Sequence, residues 1–362
     1  MKIKNIFFAA ILVLAGFSCS MEDDAIMNDV EKGIEEATEA YTVLDFGVAF
    51  NEMATKASTT VVPGEDRPAT GDENNDEKKI SEVSVFLLED GKVIGILIPQ
   101  NRNQVSSNSD GSITLKDLKF VTKYKTNRTL EAHVVINGNQ FLKNINIGDA
   151  QSALNQQISG CLSADQLIKY GSTRIVFGKD ITNSYSSPSV AENNPTTILV
   201  KVSHVAARLD FSQCDVTLKG FEGNPTVVFD EAKFVNLQQN GKIVEGDASV
   251  NVKDGAFLNR SNRIGTRWTD LGTAYGYANQ YRQDSEMNTA LYVKFTVDGR
   301  TFEKTYPINP AGITKEVDHN GIKGGYLYDI KVRWTITPDW GDSTIEFYTR
   351  DWVHNSIPEI VL

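Results

Sequence analysis

The sequence predicts an all-β protein: two antiparallel β-sandwich domains in tandem, with one short helical segment. Three observations carry this expectation. From Tyr41 onward apolar and polar residues alternate, as along half-buried strands. The alternating runs are short and are separated by turn residues such as Glu89-Asp90-Gly91-Lys92, a hairpin signal. A length of 362 residues asks for two cores, since one domain takes about 150.

Composition agrees and sets limits. Hydrophobic residues make up 40% and charged residues 23% of the chain, as in folded globular proteins. Three cysteines are too few for a disulfide scaffold. With 36 basic and 47 acidic side chains the net charge is -11, which argues against nucleic acid as a partner. Eight of the acids and only Lys32 of the bases lie within residues 21–40.

Taken in order, Lys2 and Lys4 precede an apolar run, Ile6–Phe17, ending in Ser18-Cys19. The run is too short to span a membrane, which takes about twenty residues, and it reads as a signal peptide over 1–18. Small residues before a cysteine resemble a bacterial lipoprotein box, which makes Cys19 the lipidation site. Several acyl chains there would make a durable membrane anchor. Residues 19–40 read as an acidic flexible tether. The first sandwich is expected over 41–198. It opens with Leu44, Phe46, Val48 and Phe50 on one face of a strand, and a polar loop, 51–79, follows. A loop that long inside a domain suggests function or processing. Within 150–169, Ala153, Leu154, Ile158, Cys161 and Leu162 share one helical face. The polar stretch 180–197 marks the boundary, and the second sandwich is expected over 199–362. Its irregular, aromatic segment 254–286 reads as a long loop.

Catalytic patterns are few. The histidines His133, His204, His319 and His354 have no second ligand at metal spacing, and HExxH, CxxC, GxSxG and P-loop motifs do not occur. No metal, cofactor or enzymatic activity is expected. Cys161 and Cys214 could pair outside the cytoplasm, but they fall in different expected domains and read as two buried thiols. Trp268, Tyr275, Tyr277 and Tyr281 form an aromatic cluster that either covers a sandwich end or stacks sugars.

Four ordered features resemble one family, the fimbrillins or type V pilins of Bacteroidota. They are the Cys19 start with its acidic follow-on; the strand 41–50 followed by Ala54-Thr55-Lys56-Ala57, an acidic loop and Ile80–Phe86; the stretch Val202–Leu209; and Tyr326–Val332 with Asp351-Trp352. The resemblance implies transthyretin-like, Greek-key sandwiches and a structural subunit of a surface fimbria that mediates adhesion. It implies a precursor held on the outer membrane by lipid. It also implies cleavage in the 51–79 loop, loss of the first strand (Leu44, Phe46, Val48, Phe50), and insertion of the neighbour's tail, 352–362, in its place. Trp352, Ile360 and Leu362 share parity as pocket-fillers in that tail, although Pro358 removes one ladder bond. Cleavage is expected at Lys56–Ala57. The alternative, Arg67, precedes Pro68, whose ring blocks trypsin-like enzymes. Implied partners are further copies of the chain, accessory fimbrial subunits and a host or bacterial surface receptor. Two other readings stand beside this one: an uncut anchor or minor subunit, and a glycan-binding surface lipoprotein using the 268–281 aromatics.

Overall fold

Alternating β-branched and aromatic residues give extended chain through most of residues 39–50, 75–109, 112–244, 246–259, 263–312, 319–339, 341–351 and 359–360, which a computed structural model describes. An amino-terminal group of strands comprises β1 (Tyr41–Phe50), β2 (Lys79–Ile80), β3 (Val83–Glu89), β4 (Lys92–Leu97), β5 (Val105–Ser107), β6 (Ile113–Lys123), β7 (Thr129–Ile136), β8 (Gln157–Ser159), β9 (Lys169–Val176) and β10 (Thr196–His204). A carboxy-terminal group comprises β11 (Ala207–Leu218), β12 (Val227–Val235), β13 (Leu237–Gln238), β14 (Asn240–Lys242), β15 (Val252–Lys253), β16 (Phe257–Asn259), β17 (Arg263–Ile264), β18 (Arg267–Gly276), β19 (Asn279–Gln280), β20 (Ala290–Val297), β21 (Arg300–Pro307), β22 (Gly321–Ile322), β23 (Tyr326–Ile336) and β24 (Gly341–Asp351). The last strand, β25 (Glu359–Ile360), pairs with β2. Two short helices, α1 (Asn139–Leu142) and α2 (Pro188–Glu192), complete the described elements beside several 3-10 turns.

The first group forms an eight-stranded ladder in the order β4-β3-β7-β9-β10-β1-β6-β5. β10 lets this ladder fold over. Most of its length pairs with β1, from Leu44↔Thr196 to Phe50↔Val202, and its end pairs with β9 through Ser203↔Tyr170 and His204↔Lys169. The two halves of the ladder close on one core that includes Leu44, Phe46, Val85, Ile113, Val134 and Val200. At the join, a Cβ on Gly171 would lie 1.8 Å from the Lys201 carbonyl oxygen, so only glycine permits the approach of β9 to β10.

The second group is a sandwich of β18-β11-β23-β24 over β16-β12-β20-β21. Phe211, Phe229, Trp268, Phe295, Tyr328 and Trp334 fill it. Phe295 meets Trp334 edge-on at 4.8 Å between ring centres, a favoured aromatic geometry. The groups are joined by β8, which pairs with β14 across the seam. There the Tyr277 ring lies against Gly241, where a Cβ would come within 2.5 Å of it, and its hydroxyl donates to the Gly160 carbonyl at 2.7 Å.

Three expectations change. Residues 150–169 are not one helix but a 3-10 turn (Gln151–Leu154), β8, and a second 3-10 turn (Ala164–Gln166). Gly160 and Cys161 both have positive φ, which breaks a helix, and the seam pairing takes up the backbone of β8. The segment 254–286 contains β16 to β19 rather than a long loop. Its main strand, β18, pairs with β11 through a register shift between Phe211 and Gln213, and that irregularity hid the alternation. Finally, β10 packs into the first core, so the expected boundary at 198/199 falls within a strand.

Candidate functional site

The segment of interest is β1. Although the first of the described strands, it lies in the interior of its ladder, parallel to β10 and antiparallel to β6. On the β6 side the register runs from Tyr41↔Lys123 to Val48↔Ile113, shifting once between Leu44 and Phe46. Leu44, Phe46 and Val48 are fully buried and Phe50 is 6% exposed, all within the first core. At about 1.5–3 kcal/mol for each such side chain, their burial contributes roughly 6–12 kcal/mol. The strand is also tied at its start. Tyr41 and Tyr185 exchange backbone hydrogen bonds, each 2.8 Å, and the Tyr124 amide donates to the Ala40 carbonyl at 2.7 Å.

Two residues of β1 escaped the sequence reading. Thr42 and Val43 are also fully buried. α2 lies against β1 and β6, and its Ala191 is buried as completely as Val43. Val43 is the apolar residue between Thr42 and Leu44 that breaks the alternation, and this was the available signal for a covered second face. Thr42 Oγ1 and Asp45 Oδ1 are buried without a hydrogen-bond partner among the described residues. Buried polar atoms left in that state cost about 1–3 kcal/mol each, so the strand is held by apolar contact more than by polar complementarity.

Cys19, Lys56, Ala57, Arg67, Trp352 and Leu362 lie outside the described residues. Ile360 lies in β25, whose backbone runs parallel to β2 with Lys79↔Glu359 and Ile80↔Ile360 in register. Ile80 itself is fully buried in the first core.

The aromatic cluster does not form an exposed stacking platform. Trp268 is 4% exposed and lies at 5.1 Å from Phe229 inside the second core, while Tyr277 is buried in the seam. Tyr275 is half-buried, and its hydroxyl donates to the Glu77 carboxylate. Burial, with the adjoining Glu77 charge, pushes the Tyr275 phenol far above its ordinary range. Only Tyr281 stands apart, half-buried on the chain after β19. Of the two roles open for these rings, covering and packing fits Trp268 and Tyr275 on β18 and Tyr277 just after it.

Of the two cysteines described, Cys161 is partly exposed and Cys214 is buried, and both are free thiols. His133 is buried, with its Nδ1 at 2.8 Å from the Tyr170 hydroxyl. Among the described residues no group of three or more His, Cys, Asp or Glu is placed to hold a metal ion.

Comparison with known proteins gives the fold and its neighbours. No protein-family model matches the chain. No curated protein matches it either. Solved structures do. A protein of Parabacteroides distasonis provisionally assigned to cell adhesion aligns at a TM-score of 0.58 and 17% identity, over 87% of this chain and 98% of that one. A fimbrilin of Porphyromonas gingivalis aligns at a TM-score of 0.48 and 15% identity, over 86% and 98%. The tip fimbrial protein Mfa3 of the same organism aligns at 0.47 and 11% identity, over 86% and 100%. The chain has the all-β fold of the Parabacteroides protein along nearly its whole length.

Proposed function

We propose that this protein is a structural subunit of a cell-surface fimbria that assembles by exchange of strands between copies. The observation that carries the reading is the position of β1. It is the first of the described strands, it lies between β6 and β10, and only the segment 51–74 joins it to Asn75 and the strands beyond. One cut in that segment, after Lys56, leaves β1 held by noncovalent contacts alone. Its departure opens a slot with unpaired edges on β6 and β10 and exposes the apolar core. An extended segment of another copy fits such a slot, gaining main-chain hydrogen bonds on both sides and pockets for alternate side chains. The unpartnered Thr42 and Asp45 atoms make β1 a less than ideal occupant, which favours its replacement.

The tail, 352–362, supplies the incoming strand. In the single chain its Glu359–Ile360 pair rests on β2, so the tail exchanges that contact for the slot of the next copy. The Cys19 start makes the precursor an outer-membrane lipoprotein, and cleavage releases the lipid together with β1. Further copies, accessory fimbrial subunits and a surface receptor are the partners. The fold shared with a protein assigned to cell adhesion supports this reading.

The test is trypsin treatment of the purified precursor, then gel analysis. Ladders of oligomers that vanish when residues 352–362 are deleted are expected. A cut chain that stays monomeric while losing residues 19–56 rejects the shaft role. An uncut chain that keeps its lipid on cells identifies an anchor subunit instead.

A further inference from the structure

The described chain resumes at Asn75 with a 3-10 turn, Asn75–Lys78, and the turn carries a fully buried acid, Glu77. Its carboxylate accepts from the Arg208 guanidinium at 3.0 and 3.1 Å and from the Tyr275 hydroxyl. Its backbone carbonyl accepts from the ammonium of Lys169 at 3.0 Å, and that lysine is also fully buried. Arg208 is set in turn by Asp210, at 2.9 Å, which also accepts from the Thr273 hydroxyl at 2.7 Å. Lys169 belongs to β9 of the first group, whereas Arg208 and Tyr275 belong to β11 and β18 of the second.

A second pin adjoins the first. Asn137, at 6% exposure, donates from Nδ2 to the Lys79 carbonyl at 2.9 Å, and its Oδ1 accepts from the Ser81 amide at 2.9 Å. Residues 77–81 are thus fixed by side chains that reach them from three strands and a turn. None of these partners lies on β1.

We propose that Glu77 is the anchor of the processed amino terminus, so that a cut in the preceding segment frees β1 alone and leaves Asn75–Ser81 docked at the seam. This rests on the processing part of the proposed function. A buried carboxylate that accepts from both the Arg208 guanidinium and the Tyr275 hydroxyl cannot leave its site without breaking a buried ion pair. The arm therefore stays where it is when β1 goes, and β2 keeps Ile80 in the first core. The anchor also protects two bonds that trypsin would otherwise cut, Lys78–Lys79 and Lys79–Ile80. The carbonyl of the second bond is the one engaged by Asn137.

The experiment is limited trypsinolysis of the full chain in detergent, with the new amino termini read by mass spectrometry. In the unaltered protein the large fragment is expected to begin after Lys56 or Arg67, with Lys78 and Lys79 intact. Glu77→Gln should raise cutting at Lys78 and Lys79 by about tenfold or more, because hydrogen bonds to a charged group are lost. Cutting at other lysines should not rise with it, as it would in a globally unstable variant. Tyr275→Phe removes one donor and should give a smaller rise at the same two bonds, which keeps the test open if Glu77→Gln fails to fold. Asp76→Asn alters the exposed acid of the same turn, which pairs with Lys79 at 2.7 Å, and should change nothing at Lys78. Equal cutting at Lys78 and Lys79 in the unaltered and Glu77→Gln proteins overturns the anchor. So does unaltered protein cut there as fast as at Lys56. If Lys56 and Arg67 resist while Glu77→Gln opens Lys78 and Lys79, the anchor stands and the processing reading falls. If the large fragment forms but never assembles, the anchor stands and strand exchange falls.

Discussion

Phe46→Ala weakens the hold on β1 at its centre. Phe46 is fully buried and lies where β1 pairs with both Leu115 and Ile198. Truncating a phenylalanine at such a site costs about 3–5 kcal/mol, against roughly 6–12 kcal/mol from the strand's four apolar side chains together. In the uncut chain β1 cannot diffuse away, so the loss should appear as a lower unfolding free energy in urea. After a cut in 51–74 the same loss acts on strand retention. Since about 1.4 kcal/mol is tenfold, the equilibrium constant for retaining β1 should fall by about a hundredfold or more. The assay is uptake of a fluorescent peptide with the sequence of residues 352–362, monitored by anisotropy, into cut and uncut protein. Uptake into cut Phe46→Ala should be markedly faster than into cut parent, and absent from both uncut proteins. A control change at Ile147, 70% exposed, should leave the rate unchanged. Equal rates in parent and Phe46→Ala, or uptake by uncut chains, would refute the idea that β1 occupies the slot the peptide enters.

Other perturbations address the frame around the slot. Gly171→Ala should abolish folding of the first group, detected as loss of the cooperative urea transition, because its Cβ would sit 1.8 Å from a backbone oxygen that cannot move aside cheaply. Tyr277→Ala should cost about 3–5 kcal/mol in the same measurement, as a large buried ring is removed from the seam. Burial holds His133 below the ordinary histidine range, although the Glu131 carboxylate pulls the other way. The folded chain therefore resists a proton that the unfolded chain accepts near pH 6.5, and stability should fall as the pH drops below that value. Urea titrations at about pH 7.5 and 5 should show the decline, with a shallower one in His133→Gln; identical declines would exclude His133 as a contributor. Burial also raises the Cys214 thiol far above its ordinary range, so a thiol reagent should label Cys161 in the native state and leave Cys214 unmodified until the protein unfolds.

The strand class and the apolar face of β1 were readable because alternation over Leu44–Phe50 survives intact and requires only local pairing geometry. What the sequence concealed depends on distant partners. The run 150–169 carries helical spacing, yet β14, some eighty residues later, claims its backbone for the seam. Trp268, Tyr275 and Tyr277 sit among glycines like loop residues; the pairing of β18 with β11 places the first two, and the seam contacts to Gly241 and Gly160 place Tyr277. Glu77 was invisible in an acidic stretch, since nothing local separates a buried carboxylate from the other acids around it in the sequence. Its partners lie 131 and 198 residues away. The expected boundary at 198/199 falls inside β10 for the same reason: β10 pairs with β1, a partner that the turn residues near Pro195 do not announce.

The central seat of β1 has a consequence for biosynthesis. A nascent chain presents β1 before either of its neighbours exists, and β10 is completed only at His204. Until then the amino-terminal strand has no place to settle, and closure over such a sequence separation is slow. The rest of the ladder must collapse around a gap that its earliest-made segment fills late. Each molecule thus passes, while maturing, through a form with the vacancy that the proposed exchange would fill.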